Sequence, residues 1–405
     1  MLESAIPEHL RQERTQPARA PQAFKEPAYP SYSARFPTSA RGLVMAMIGV
    51  QYASKADADS DSNSDTGAGI SKLSSFFTTP RPDQQSSNSP PAPIPTPAFS
   101  ELASVTDNRG FFNLAVLAYW PSRAAYDGWA AASGFDAWWA ALSPEEGTDG
   151  RQRGWFREVF FPTMDRLETV FTDREVPEGA GHLREDISGL VREHAYWGSM
   201  RDRLPIAQVD ALVGEKGEKG ERREKSGTLS SDSTAEADKR CGRVRVPGKR
   251  NLTVIRSGQD WSNTRPEERK LYLETMHPVL IRGMDFLRDH GDEVGCHSCR
   301  LMDIVIGLPP SEGEAPDARE KKVVAGGTDR TFGLAYFDEL ASLEGWSREH
   351  QTHLDIFGGF FRYARSLDND ITLRLFHEVL VLEPEQQLFE YIGCHGGTGM
   401  LATPR

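Results

Sequence analysis

The chain has 405 residues and a formal net charge of −12, from 47 Lys and Arg against 59 Asp and Glu. That length suits one large or two ordinary domains, and so acidic a chain repels phosphate backbones, so no nucleic-acid partner is expected. Four cysteines make no disulfide framework in a chain this long, and no apolar run approaches the ~20 residues that span a bilayer, so a soluble cytoplasmic protein without a membrane partner is expected.

Residues 1–53 bring a charged N-terminal segment, without the apolar centre of a secretory signal, and a first core strand. Residues 54–97, rich in Ser, Asp, Pro and Gln, read as a disordered insertion. A first module is expected over 98–213. In it the strand Leu117-Ala118-Tyr119-Trp120 is followed nine positions on by Trp129, then by a helix over 155–164 and a strand over 167–171 that Glu168 interrupts. The module closes on the aromatic and arginine-rich run Tyr196-Trp197-Gly198-Ser199-Met200-Arg201-Asp202-Arg203. Residues 214–240, with the run EKGEKGERREK, read as a second disordered insertion.

A second module is expected over 241–405, with a loop insertion at 308–329. Its strand from Leu252 ends in the polar stretch Ile255-Arg256-Ser257-Gly258-Gln259-Asp260-Trp261. Leu334-Ala335-Tyr336-Phe337 then repeats the earlier strand, again with a Trp, Trp346, nine positions after its last aromatic. Strands alternating with helices in two similar units predict an α+β fold, and two ferredoxin-like modules packed sheet to sheet suit it.

The helix over 351–367 places His353 on one stripe with Ile356, Phe357, Phe360, Phe361 and Ala364. The strand over 373–382 alternates Leu373, Leu375, His377, Val379 and Val381 on one face. Buried imidazoles need partners for their ring nitrogens, so two of them this close suggest one pocket with two jobs. Metal ligation has rival sources. His350 and His353 stand three apart, and Cys296-His297-Ser298-Cys299 has a zinc half-site gap, but Cys394-His395 supplies no matching second half. Arg300 after Cys299 disfavours covalent c-type haem. Noncovalent haem asks only for one neutral imidazole on an apolar wall, which His353 fits; the other reading of His353 is a core histidine hydrogen-bonded to backbone. Taken singly, Ser257 reads as a turn hydroxyl, and Arg201 and Arg203 as surface ion pairs.

Together, IRSGQDW, HAYWGSMRDR, WSREHQTHLDIF, LRLFHEV and EYIGCHGGTGM, with MLESAIPEHL at the start, resemble the haem-containing aldoxime dehydratases, the phenylacetaldoxime dehydratase branch in particular. The resemblance implies a homodimer of paired ferredoxin-like modules. Their α+β barrel-type sheet core would be flanked by helices, with haem b between the sheet and the C-terminal helices. It makes His353 the proximal iron ligand, His377 the distal general acid and base, and Ser257 the partner of the oxime hydroxyl. Arg203 and Glu168 become distal-side residues. The implied reaction takes an aldoxime R-CH=N-OH to its nitrile and water on ferrous iron. A haem peroxidase of a related barrel fold, or a haem carrier or sensor without catalysis, are the other readings. The chain departs from the family at Gln351, where Pro is common, and in a slightly longer loop before Leu373.

Overall fold

Several segments, Val44–Tyr52 and Phe112–Trp120 among them, are buried at almost every position, the pattern of strands covered on both faces. The computed structural model describes residues 2–22, 29–62, 69–78, 96–143, 153–216, 241–305 and 329–403. Its strands up to the middle of the chain are β1 (Ala34–Arg35), β2 (Val44–Tyr52), β3 (Phe99–Thr106), β4 (Phe112–Trp120), β5 (Gly154–Phe160), β6 (Leu167–Phe171) and β7 (Asp186–Ile187). They continue as β8 (Arg243–Val246), β9 (Leu252–Asp260), β10 (Cys296–Val305), β11 (Arg330–Phe337), β12 (Arg374–Leu382) and β13 (Gln387–Ile392). The helices are α1 (Lys55–Ser62), α2 (Gly69–Ser75), α3 (Arg123–Ala132), α4 (Phe135–Ala141) and α5 (Ser199–Arg203). Then come α6 (Pro266–Leu271), which runs through a π turn (Tyr272–Met276) into α7 (His277–His290), and finally α8 (Leu340–Glu349) and α9 (Gln351–Ser366).

Eleven strands form one antiparallel sheet in the order β6-β12-β9-β11-β10-β3-β4-β2-β5-β13-β8, while β1 and β7 pair separately. The order is close to a palindrome. β2 to β5 and β9 to β12 each run strand, helices, strand, strand, helices, strand, and the halves meet edge to edge at β10 and β3. Each half gives its next strand to the other: β6 pairs with β12, and β13 pairs with β5.

The sheet is strongly curled. Tyr119 on β4 donates to Glu378 on β12, and Tyr336 on β11 donates to Glu158 on β5 at 2.5 Å. Each pair is five strands apart, or about 24 Å in a flat sheet at ~4.8 Å per strand. Only a half-barrel brings them together, and its inside is filled by Met45, Met47, Leu117, Phe160, Val254, Leu334, Leu380 and Phe389. Helices cover the outer faces.

Four expectations need correction. The first concerns residues 54–97, which are not wholly an unstructured insertion. α1 and α2 lie within them, and Ile70, Leu73, Phe76 and Phe77 are buried against Trp120 and Trp129. The Trp129 indole donates to the Phe76 carbonyl at 2.8 Å, so this polar-looking segment carries a real apolar face. The second concerns the helix expected over 155–164, where the chain forms strand β5 instead. Trp155, Phe156, Val159 and Phe160 are buried on both of its faces, which erases the period-two signal. Third, the modules share one sheet rather than packing sheet to sheet. Fourth, the borders at 98–213 and 241–405 do not separate spatial units, because β6 sits with the second half and β13 and β8 with the first. The central parts of the insertions expected at 214–240 and 308–329 lie outside the described residues, as do 79–95.

Candidate active site

The register of β9 and β12 sets the site. Ser257 lies directly opposite His377, and opposed residues in an antiparallel pair project to the same face. His377 is in turn opposite Val170 of β6, and Glu168, two positions along, shares that face. Arg203 enters from the single-turn helix α5. Its Nε donates to Glu168 Oε2 at 2.7 Å and its Nη2 to Oε1 at 3.1 Å. The same Nη2 lies 2.7 Å from His377 Nε2, which is 3.1 Å from Glu168 Oε1. Nη1 donates to the Glu193 carbonyl at 2.7 Å. The Glu168 and Arg203 side chains are 1 % exposed and the His377 side chain 23 %, so the network is sealed behind and open at the imidazole.

Burial alone would push the Glu168 carboxyl up. The Arg203 guanidinium and then His377 outweigh it and hold the group at about 2, so it is a carboxylate throughout the working range. His377 Nε2 has one donor and one acceptor beside it, and is satisfied whether or not it carries a proton. Among the described residues, His377 Nδ1 and the Ser257 hydroxyl make no hydrogen bond, which leaves both for a ligand.

His194 lies beside Arg203 and His377 and was not singled out by sequence reasoning, although it opens the HAYWGSMRDR run. Its Nε2 is buried without a partner. Burial, then Arg203 and His377, lower its pKa to about 3, so it is a neutral imidazole. Tyr29 sets its ring edge against His194 at 5.1 Å and against Phe360 of α9, also at 5.1 Å. That ring links the neighbourhood of Arg203 and His377 to the helix that carries His353.

α9 packs on α7 so closely that a Cβ on Gly283 would fall 2.7 Å from Ile356. His350 caps α9 by accepting from Thr352 N at 3.3 Å, and its ring stacks on Phe286 at 3.9 Å, so it does not pair with His353 on a metal. His353 sits between Trp346, at 4.8 Å, and Trp197, at 6.1 Å. Burial lowers its pKa to about 4 against a weak upward pull from the Ser347 backbone. Its Nδ1 is buried and makes no hydrogen bond of normal geometry. A neutral imidazole among aromatics, with one nitrogen turned to a backbone group, suits iron ligation, where the second ring nitrogen is usually oriented this way. The residues therefore fit haem.

No cluster of three or more His, Cys, Asp or Glu able to hold a metal occurs among the described residues. Cys296 and Cys299 are buried in the second-half core, Cys394 lies against the Trp155 carbonyl, and His395 pairs with Asp107 at 2.8 Å. The zinc alternative therefore has no site. An open groove of about 880 Å³ lies against residues of the N-terminal segment, with Glu193 and Gln208 on its wall, away from His353 and His377.

Among the described residues, the first half has no counterpart of this pocket. The row equivalent to Ser257 and His377 is Ile48 and Arg157, and the Arg157 guanidinium lies over the Phe135 ring at 5.4 Å. Phe76, Phe77, Trp129, Phe135 and Trp139 fill the space above it.

With a neutral imidazole among aromatics on a helix and a second imidazole open to a ligand on the sheet, the fold and the donor set fit an α+β haem enzyme. Residues 46–400 match the haem-containing dehydratases, and the chain belongs to that family. It is 35% identical to the aliphatic aldoxime dehydratase of Pseudomonas sp over 400 residues, covering 99% of this chain and 98% of that one. The aliphatic aldoxime dehydratase of Rhodococcus erythropolis gives the same identity and coverage. The phenylacetaldoxime dehydratase of Bacillus sp. (strain OxB-1) is 27% identical over 292 residues, covering 72% of this chain and 74% of that one. A crystal structure of an aldoxime dehydratase in complex with butyraldoxime superposes with a TM-score of 0.78 at 33% identity, covering 100% of this chain and 97% of that one.

Proposed function

We propose that the chain is an aldoxime dehydratase that takes R-CH=N-OH to R-C≡N and water, with His377 as the group that moves the proton. The observation that carries this is the sealed Arg203–Glu168 pair behind His377, which leaves Nδ1 free beside the free hydroxyl of Ser257. Haem b, held by His353, would supply a ferrous iron to which the oxime nitrogen binds.

Hydroxide leaves poorly, so the oxime oxygen must gain a proton as the N–O bond breaks. Ser257 orients that oxygen, and protonated His377 gives it the Nδ1 proton while Nε2–H rests on Glu168 Oε1. Water departs with the N–O electron pair. The neutral imidazole then takes the proton from the oxime carbon at Nδ1, and the C–H electrons complete the triple bond. His377 ends as it began, with no net oxidation. Arg203 keeps Glu168 ionised and aimed at the ring, so the counter-charge to the imidazolium is in place before substrate arrives.

The higher identity to aliphatic aldoxime dehydratases supports aliphatic aldoximes as substrates ahead of phenylacetaldoxime. The strand orders β3-β4-β2-β5 and β10-β11-β9-β12, with their matching connections, support reading each half as a ferredoxin-like module. The four unbridged cysteines support a cytoplasmic setting, and the family resemblance supports a homodimer. No helix among the described residues is long and apolar enough to cross a membrane.

The test is to load the protein with haem, reduce it without oxygen, and supply butyraldoxime and phenylacetaldoxime. Nitrile should form, faster from butyraldoxime. A fully loaded, reduced enzyme that yields nitrile from neither would defeat the reading, and anaerobic turnover separates it from peroxidase chemistry.

A further inference from the structure

We propose that residues 3–19 act as a clamp that positions Arg203 for the reaction, working through Asp202 and Glu193. The inference rests on the dehydratase reading for its effect on rate, and on the geometry alone for the clamp itself.

α5 is five residues long, too short to hold its own shape, and its N-cap Gly198 offers no side-chain cap. Something outside must fix it. Asp202, the neighbour of Arg203, is 2 % exposed. Its carboxylate accepts the Arg19 backbone N–H on both oxygens, at 3.0 and 2.9 Å, and the Tyr196 hydroxyl at 2.8 Å. Arg14 lies 3.9 Å from the same carboxylate. Ten residues before Arg203, Glu193 accepts the Ala5 N–H at 2.8 Å and the Ser4 hydroxyl at 3.4 Å, while its own carbonyl accepts from Arg203. Five residues after Arg203, Gln208 accepts from Gln12 N at 3.0 Å and donates to the Leu10 carbonyl at 2.9 Å. The Gln208 carbonyl also takes the Thr15 and Gln16 N–H groups at 2.9 and 3.0 Å.

Two glycines in the clamped segment are cleared for this contact. A Cβ on Gly198, at φ +95°, would fall 2.6 Å from Arg19 Cβ, and one on Gly189 would fall 2.8 Å from Glu3 Oε1. The segment carrying Arg203 is therefore tied on both sides of that residue by one stretch of chain that makes no hydrogen bond with His353 or His377. The reach of Arg203 to Glu168 and His377 is set from there. Asp202 and Glu193 are positioning residues.

Full-length, haem-loaded protein tests this. Arg19→Pro removes the N–H that Asp202 accepts, at a solvent-exposed position. Asp202→Ala removes the acceptor, and Asp202→Asn keeps an acceptor oxygen. Amide hydrogen exchange over 193–208 should speed up at least tenfold in the first two variants. With butyraldoxime, kcat should fall at least tenfold while KM stays within about twofold and haem content is unchanged. The acidic limb of the rate profile should move to higher pH as Glu168 loses its guanidinium, and Asp202→Asn should recover most of the rate. Wild-type exchange in Arg19→Pro, or faster exchange with an unchanged kcat, overturns the clamp. A wild-type chain that forms no nitrile defeats the dehydratase reading instead, and the exchange data then decide the clamp alone.

Discussion

Ser257 on β9 and His377 on β12 are direct antiparallel partners, with Gly333 of β11 next in the same row. The hydroxyl and the imidazole thus reach one ligand from the rigid middle of a sheet. His377→Ala should keep its haem, measured as the pyridine haemochrome, yet lose roughly a hundred- to ten-thousand-fold in kcat. Ser257→Ala should lose less, about ten- to a hundredfold in kcat/KM, the worth of one hydrogen bond to a polar ligand. Equal turnover in wild type and His377→Ala would remove the acid role from that residue.

His353→Ala should abolish stable haem uptake while leaving the fold intact. The side chain is half-buried on the α9 stripe beside Trp346 and Trp197. Titration of the purified variant with haem should show no saturable Soret band, and added imidazole should restore one by filling the vacated position. Saturable binding in the variant without imidazole would move the iron ligand elsewhere.

How much of this was visible in the residues depends on where each contact comes from. α9 and β12 match their expected spans to within a residue, because amphipathic and alternating patterns are local. In β5, Glu158, Phe156 and Phe160 face the barrel interior while Trp155 and Val159 face the helices, so no polar side exists to set a strand period. The network at His377 joins residues 35, 174 and 209 positions apart, and no spacing rule reaches that far. Only the family resemblance put Glu168, Arg203 and His377 together. The pair Phe76-Phe77 inside a Ser-rich stretch is the signal in the residues that 69–78 fold onto the first half.

That pair gives a stability prediction. Phe77 is 6 % exposed, and its ring centre is 4.8 Å from that of Trp129. Phe77→Ala should destabilise the protein by about 3–5 kcal/mol through the cavity it leaves. Haem affinity of the folded variant should stay unchanged, since His353, the proposed haem ligand, lies in the second half. A urea unfolding midpoint equal to that of wild type would mean that the segment does not pack here.

The half-barrel interior makes the protein sensitive to alkali. Glu178 is 3 % exposed and shares its surroundings with Glu101, Glu378 and Asp260 on one side and Arg256 and Arg330 on the other. Burial, only partly offset by Arg330 and Arg256, raises its pKa to about 7. Between the ordinary carboxylate pKa of about 4.3 and this value, the folded chain holds a proton that the unfolded chain has released. Stability from this group is therefore full in acid and falls as pH rises through 7, by on the order of 3 kcal/mol. Glu178→Gln keeps the shape without the charge, and Arg330 retains Asp260 at 3.2 Å. The variant should match wild type in Tm at pH 5 and exceed it by several degrees at pH 8. A Tm difference that is the same at both pH values would mean that Glu178 is ionised in the folded protein throughout, with Arg330 outweighing its burial.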